Sequence, residues 1–190
     1  MTLKDYIRLV KSDLYRYTGR ITSLMFLSAF FKNAGFKYTF QLRTTAMFRQ
    51  YKACFPFYVI SYLILKRYTY KFGIIISHDT KIDSGFYIGH FGGIIINPDV
   101  IIGKNCNISP GVILGQTNRG PKKGCPVIGD NVFIGPGAKI IGCIQVGNNV
   151  AIGANCVVTS DIPDNAVVIG IPGRIVSYKA SEGYINRIDY

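Results

Sequence analysis

Beyond residue 73 the chain repeats on a period of six. Aliphatic side chains stand at Ile76, Ile82 and Ile88, again at Ile96, Ile102, Ile108 and Leu114, and a third time at Ile128, Ile134, Ile140, Val146, Ile152 and Val158. Glycine often follows them, as at Gly103, Gly129 and Gly147, and four positions on sit small or branched residues such as Cys106, Val112, Ala138 and Val150. Six is neither a helical period nor that of an ordinary hairpin. It describes a chain that turns a corner every six residues and points one aliphatic side chain inward from each face, so that three faces close one coil of about 18 residues. Stacked coils bury a column of Ile and Val and share parallel hydrogen bonds. The glycines are expected to relieve unusual backbone angles at the corners. The pattern predicts a mainly β protein built on a parallel β-helix.

Residues 1–73 read differently. Tyr6, Leu9, Val10, Leu14 and Tyr17 recur at three- and four-residue spacing, an amphipathic helix, and Pro56 should start or kink a second helical stretch. The expected organisation is a helical region over 1–73, the β-helix over 74–176 and a tail over 177–190. Charge divides at the same place: residues 1–73 hold 13 Lys and Arg against 2 acidic residues, and 18 of the 25 Phe and Tyr. Nucleic acid is disfavoured, because these cations are interleaved with aromatics on apolar helices and no nucleic-acid motif accompanies them. Basic side chains among Tyr and Phe suit peripheral contact with an anionic membrane better.

Two apolar runs, Ile21–Phe31 and Phe55–Leu65, fall short of the roughly 20 residues a bilayer-spanning helix needs. The five cysteines form no CxxC pair and the two histidines lie far from most of them, so neither a disulfide framework nor a metal site is expected. A cytoplasmic protein is the resulting expectation, peripheral on the inner face of the membrane if the helices bind it.

Chemistry is expected where the period breaks. Ile88 to Ile96 is eight residues rather than six, and the two extra residues lie in GHFGG, which carries His90. Leu114 to Ile128 is fourteen rather than twelve, and the polar, basic stretch Gln116–Pro126 should leave the prism as an exposed loop.

These residues resemble a known family. GHFGGIIIN, GVILGQTNRG, GCPVIGDNVFIGPGAKIIG and VTSDIPDNAVVIGIPGRIV look like the hexapeptide-repeat acetyltransferases of the serine-acetyltransferase-like branch, which includes enzymes of colanic acid and capsular polysaccharide synthesis. The resemblance implies a left-handed β-helix, a hand opposite to the general crossover rule. It also implies direct acetyl transfer from acetyl-CoA to a hydroxyl. A hydroxyl is a poor nucleophile, so a base must take its proton as it attacks the thioester, and His90 matches the family's catalytic histidine. Imidazole is suited to that work near neutral pH. His78 lies one residue out of register and is expected to be structural.

By the same resemblance, acetyl-CoA is the co-substrate and no metal is required. Gln116 and Thr117 match positions near the thioester arm, Pro136 and Ala154 match corners lining the pantetheine groove, and Thr159, Ser160 and Arg174 match later positions near the nucleotide. Asn97 and Cys125 are the expected acceptor contacts. The groove lies between subunits in the family, which implies a homotrimer.

Departures bear on the acceptor. Gly89 and Ile75 stand where serine acetyltransferases have aspartates, and Cys125 where they have a histidine. The expectation from these changes is a sugar O-acetyltransferase of surface-polysaccharide synthesis, acting on a saccharide or lipid-linked glycan, with serine as the alternative acceptor. A catalytically inactive assembly platform is the alternative of another class. Cys125 as a covalent nucleophile is disfavoured, because direct transfer needs no such intermediate.

Overall fold

The computed structural model describes residues 1–190. Four helices come first: α1 (Leu3–Thr18), α2 (Ser23–Lys32), α3 (Ala34–Arg49) and, after a 3-10 turn at Lys52–Cys54, α4 (Phe55–Phe72). Thr2 caps α1 in a reciprocal box with Asp5. Pro56 sits in the first turn of α4, where its missing N–H costs nothing, so it starts the helix rather than kinking it. Gly73 ends α4 with φ +61°, a left-handed geometry that glycine adopts without strain. None of the helices is long and apolar enough to cross a membrane.

From Ile74 the chain winds through three parallel sheets. The first holds β1 (Ile74–Ile76), β4 (Ile94–Ile96), β7 (Ile113–Gly115), β10 (Lys139–Ile141) and β13 (Val157–Val158). The second holds β2 (Lys81–Ile82), β5 (Ile101–Ile102), β8 (Val127–Ile128) and β11 (Gln145–Val146). The third holds β3 (Tyr87–Ile88), β6 (Asn107–Ile108), β9 (Phe133–Ile134), β12 (Ala151–Ile152) and β14 (Val167–Ile169), closed by the antiparallel β15 (Arg174–Ser177). This is the hexapeptide-repeat left-handed β-helix with an α-helical N-terminal region. Register aligns the hexads: Ile76 faces Ile96, Ile96 faces Leu114, Leu114 faces Ile140, and Ile140 faces Val158. All are buried, and the small residues four positions on, Cys106, Val112, Ala138 and Val150, have no exposure at all.

Three details differ from the sequence reading. Leu114 and Ile128 lie on successive faces of one coil, so their fourteen-residue step replaces six rather than twelve, and eight residues are extruded instead of two. The column also continues past Val158, through Ile162 and Val168. Finally, the glycines directly after the aliphatic positions have ordinary backbone angles; left-handed corners fall instead on Asn105, Asn131, Asn149, Asn155 and Asn165 and on other glycines such as Gly111 and Gly137. Glycine is needed for clearance: a Cβ on Gly129 would stand 2.6 Å from the Gly147 carbonyl oxygen of the next coil. Asn105, Asn131, Asn149 and Asn165 form a ladder, each amide donating to the next at 2.9–3.1 Å, which pairs polar groups stacked along an edge that runs from buried Asn105 to exposed Asn165.

The helices close the open end of the β-helix. The first coil has no preceding coil to pair with, and side chains supply the missing partners. Tyr38 Oη accepts from Ile76 N–H and donates to its carbonyl, and Tyr17 Oη does the same for Ile88. Arg43 donates to the carbonyls of Ile82 and Asp83 at 2.5 and 2.6 Å, while Asp13 accepts from Phe86 N–H at 2.9 Å. Asp13 and Arg43 are themselves a buried ion pair at 3.1 Å. Tyr38, Leu42, Leu65 and Phe72 join the same apolar core as the coils. Residues after β15 fold back on the third sheet, with Tyr184 stacked on Phe133 and Tyr190 Oη donating to Asn105.

Candidate active site

The His90 corner, Gly89–Gly93, joins β3 to β4 on the edge between the third and first sheets. The two inserted residues need a reversal that Gly92 and Gly93 provide at φ +116° and +66°. His90 is exposed, and the neighbouring Phe91 packs on Phe72 at 5.5 Å. Later corners stack directly along this edge: Gly111 N–H donates to Gly92, Gly137 N–H to Pro110, and Asn155 N–H to Pro136, each at 2.8 Å. His90, Pro136 and Ala154 therefore follow one another down a single ridge. Arg174 begins β15 just past the Gly170–Gly173 turn, whose ends bond Val157 at the same edge. Sequence reasoning passed over Pro110, which occupies the corner between those of His90 and Pro136. The signal was present, because both Ile108 and Ile134 are followed two residues later by Pro-Gly.

The remaining candidates lie on the opposite edge, between the first and second sheets. Asn97 Nδ2 approaches Gln116 Oε1 at 3.4 Å, and Gln116 donates to Asn118 at 2.7 Å. Thr117 and Gly124 pair their backbones in both directions, closing the neck of the extruded loop. Cys143 N–H donates to the Lys122 carbonyl, and Lys122 Nζ stands 3.7 Å from Asp161, so the loop is tied to the coils beyond it. Thr159 and Ser160 are exposed farther along this edge. Cys125, at the foot of the loop, is half-buried; burial first, then Asp99 and Cys143 nearby, push its thiol up. A protonated thiol is a weak nucleophile.

His78 occupies the first coil of this edge, far from His90 along the coil path. Its ring lies between Tyr58 and Tyr62, and its Nε2 is within 3.2 Å of Arg49. Burial lowers its basicity; Asp79 opposes that, and the Arg49 and Lys66 cations reinforce it. No group of His, Cys, Asp and Glu is placed to hold a metal ion.

One chain thus carries two half-sites on the two edges of its first sheet: His90 with Pro136, Ala154 and Arg174, and Gln116 and Thr117 with Asn97, Cys125, Thr159 and Ser160. They are not brought together within the chain.

Residues 125–160 match the bacterial transferase hexapeptide of six repeats. That stretch runs from the foot of the extruded loop through β8 to β13. Similar proteins are serine acetyltransferases. That of Synechococcus elongatus is 41% identical over 104 residues, covering 55% of this chain and 43% of its own length. The chain thus spans under half the length of that relative. Among solved structures, the serine acetyltransferase of Brucella abortus in complex with coenzyme A superposes with a TM-score of 0.76 at 26% identity, covering 92% of this chain and 69% of that one. The Neisseria gonorrhoeae enzyme in complex with serine gives 0.73 at 26% identity, covering 92% and 70%.

These hexapeptide-repeat relatives overturn the sugar acceptor and the polysaccharide role expected from Ile75, Gly89 and Cys125. The likeness runs through the helices as well as the coils, and the proteins that carry it are named for serine. Three missing polar groups show which contacts cannot form. They do not define what would replace them.

Proposed function

We propose that this chain is an acetyl-CoA-dependent O-acetyltransferase with serine as its acceptor. The observation that carries the reading is the likeness to serine acetyltransferases across 92% of the chain, including one solved with coenzyme A and one with serine. His90 is the general base. It takes the proton of the acceptor hydroxyl as that oxygen bonds to the acetyl carbonyl carbon, and returns it to the thiolate sulfur as the carbon–sulfur bond breaks. Backbone N–H groups of the glycine-rich corners are the available donors for the transient oxyanion.

The two half-sites support a homotrimer in which the His90 edge of one copy faces the Gln116 edge of the next. Pro136 and Ala154 then flank the pantetheine arm, with Gln116 and Thr117 near the thioester. Arg174, Thr159 and Ser160 lie toward the nucleotide, where the Arg174 fork can pair with phosphate. Asn97 and Cys125 contact the acceptor. Ile75 and Gly89 bring no carboxylate to the serine ammonium, and Asp99, beside Asn97 and Cys125, is the acid near the acceptor contacts.

Release of coenzyme A, followed with a thiol reagent, tests this. Serine should accelerate release, and His90→Ala should slow the serine-dependent rate by about 10²–10⁴-fold without changing the thermal midpoint. Release by the native enzyme that is indifferent to serine overturns the acceptor.

A further inference from the structure

The outer side of α4 is unusual for a surface exposed to water. Its inner seam, Ser61, Leu65 and Phe72, is buried on α3 and the first coil. Away from that seam Ile60 and Leu63 are 57% and 62% exposed, and Phe57, nearer the seam and stacked on Phe48 of α3, is still 60% exposed. The same side continues into Arg67, Tyr70 and Lys71, all exposed. The helix therefore presents two apolar turns followed by two cationic ones. A second apolar stripe lies on α2, where Leu24, Leu27 and Phe31 are 53–73% exposed. From Leu14 to His78 the chain holds ten Lys and Arg and no Asp or Glu, and only Arg16 and Arg43 of those cations are buried.

Those features limit what can cover α4. A contact between copies through this face would cover Arg67 and Lys71 with no acidic residue between Leu14 and His78 to pair with them, and unpaired charge at an interface is costly. An anionic lipid surface meets both halves of the pattern. Aliphatic and aromatic side chains enter the headgroup boundary, while the cations find phosphates above it. We propose that the outer side of α4 docks on anionic bilayers, holding the enzyme at the membrane surface with no segment crossing it. This surface is independent of the acceptor and of His90.

The test is co-sedimentation of the full chain with phosphatidylcholine vesicles, with and without phosphatidylglycerol. Binding should require phosphatidylglycerol and weaken as salt rises. Arg67→Gln with Lys71→Gln should lower the partition coefficient by about thirty-fold, at roughly one surface charge's worth per residue. Phe57→Ser with Leu63→Ser should lower it at least about tenfold. Both variants should keep the native circular dichroism, oligomer size and acetyl-transfer rate. Failure of the native protein to sediment with phosphatidylglycerol at low salt overturns the proposal. So does a smaller oligomer in the Phe57/Leu63 variant, which would make this face a contact between copies. If the serine reading fails while lipid binding persists, only the acceptor is wrong.

Discussion

Coils and helices bury apolar surface in this protein by opposite means. In the β-helix each coil is nearly a copy of the last, so one inward aliphatic per face and, along one edge from Asn105 onward, one Asn per coil serve successive layers. Most of its backbone groups find partners in the backbone of the next coil, and at one edge Asp130, Asn148, Asp161 and Asp164 accept from N–H groups of the coil before. The helical region has no such repetition. Its contacts with the first coil are single polar devices, each made once: Tyr17 on Ile88, Tyr38 on Ile76, and the Asp13–Arg43 pair on β2 and the stretch before β3. The comparison shows what a solenoid cannot supply for itself. A stack of identical layers leaves its first layer with unpaired N–H and C=O groups, and only side chains from elsewhere in the chain can satisfy them.

The largest effect should come from breaking the cap. Asp13→Ala leaves Arg43 buried beside two carbonyls without its counter-charge, and loss of one partner of a buried pair costs about 3–5 kcal/mol. Chemical denaturation should show that loss as a lower midpoint. A variant as stable as the native chain would mean that the helices do not close the β-helix energetically. Next comes a change inside the repeats. Gly129→Ala places a methyl group 2.6 Å from the Gly147 carbonyl oxygen, and overpacking of that kind costs about 1–3 kcal/mol. The same assay should rank it below Asp13→Ala. The reverse order would make coil spacing, not the cap, the more sensitive feature.

The smallest effect concerns pH at the seam between the regions. His78 lies among Tyr58, Tyr62, Arg49, Lys66 and Asp79, and burial holds it below its ordinary value of 6.5. A histidine depressed in the folded state contributes stability that is present above the unfolded value and is lost as pH falls through the folded one. Thermal midpoints should therefore fall as pH drops below about 6.5, and fall less in His78→Gln. Equal slopes for the two proteins would remove His78 from the acid response.

The β-helix was legible because its signal is repeated. An aliphatic every six residues, over thirteen positions, leaves few other folds, and the eight-residue step marked the corner of His90 in advance. The size of the extruded loop was misread because sequence spacing alone does not say which face a residue occupies; Ile128 had to be seen beside Ile102. The glycines were assigned the wrong cause for a related reason. Their need arises from the coil that follows, and spacing along the chain does not show how closely two backbones approach.

The sequence by itself determined the solenoid, the helical start, the basic charge of that start and the irregular corner that carries His90. Each is a local or periodic property, readable from neighbours a few residues apart. Only the tertiary structure decided that the helices are a cap on the first coil, and that the candidate residues divide between two edges of the first sheet. Both depend on contacts between residues far apart in the chain, such as Tyr17 with Ile88 and Asp13 with Phe86. No period records such contacts, because each is made once.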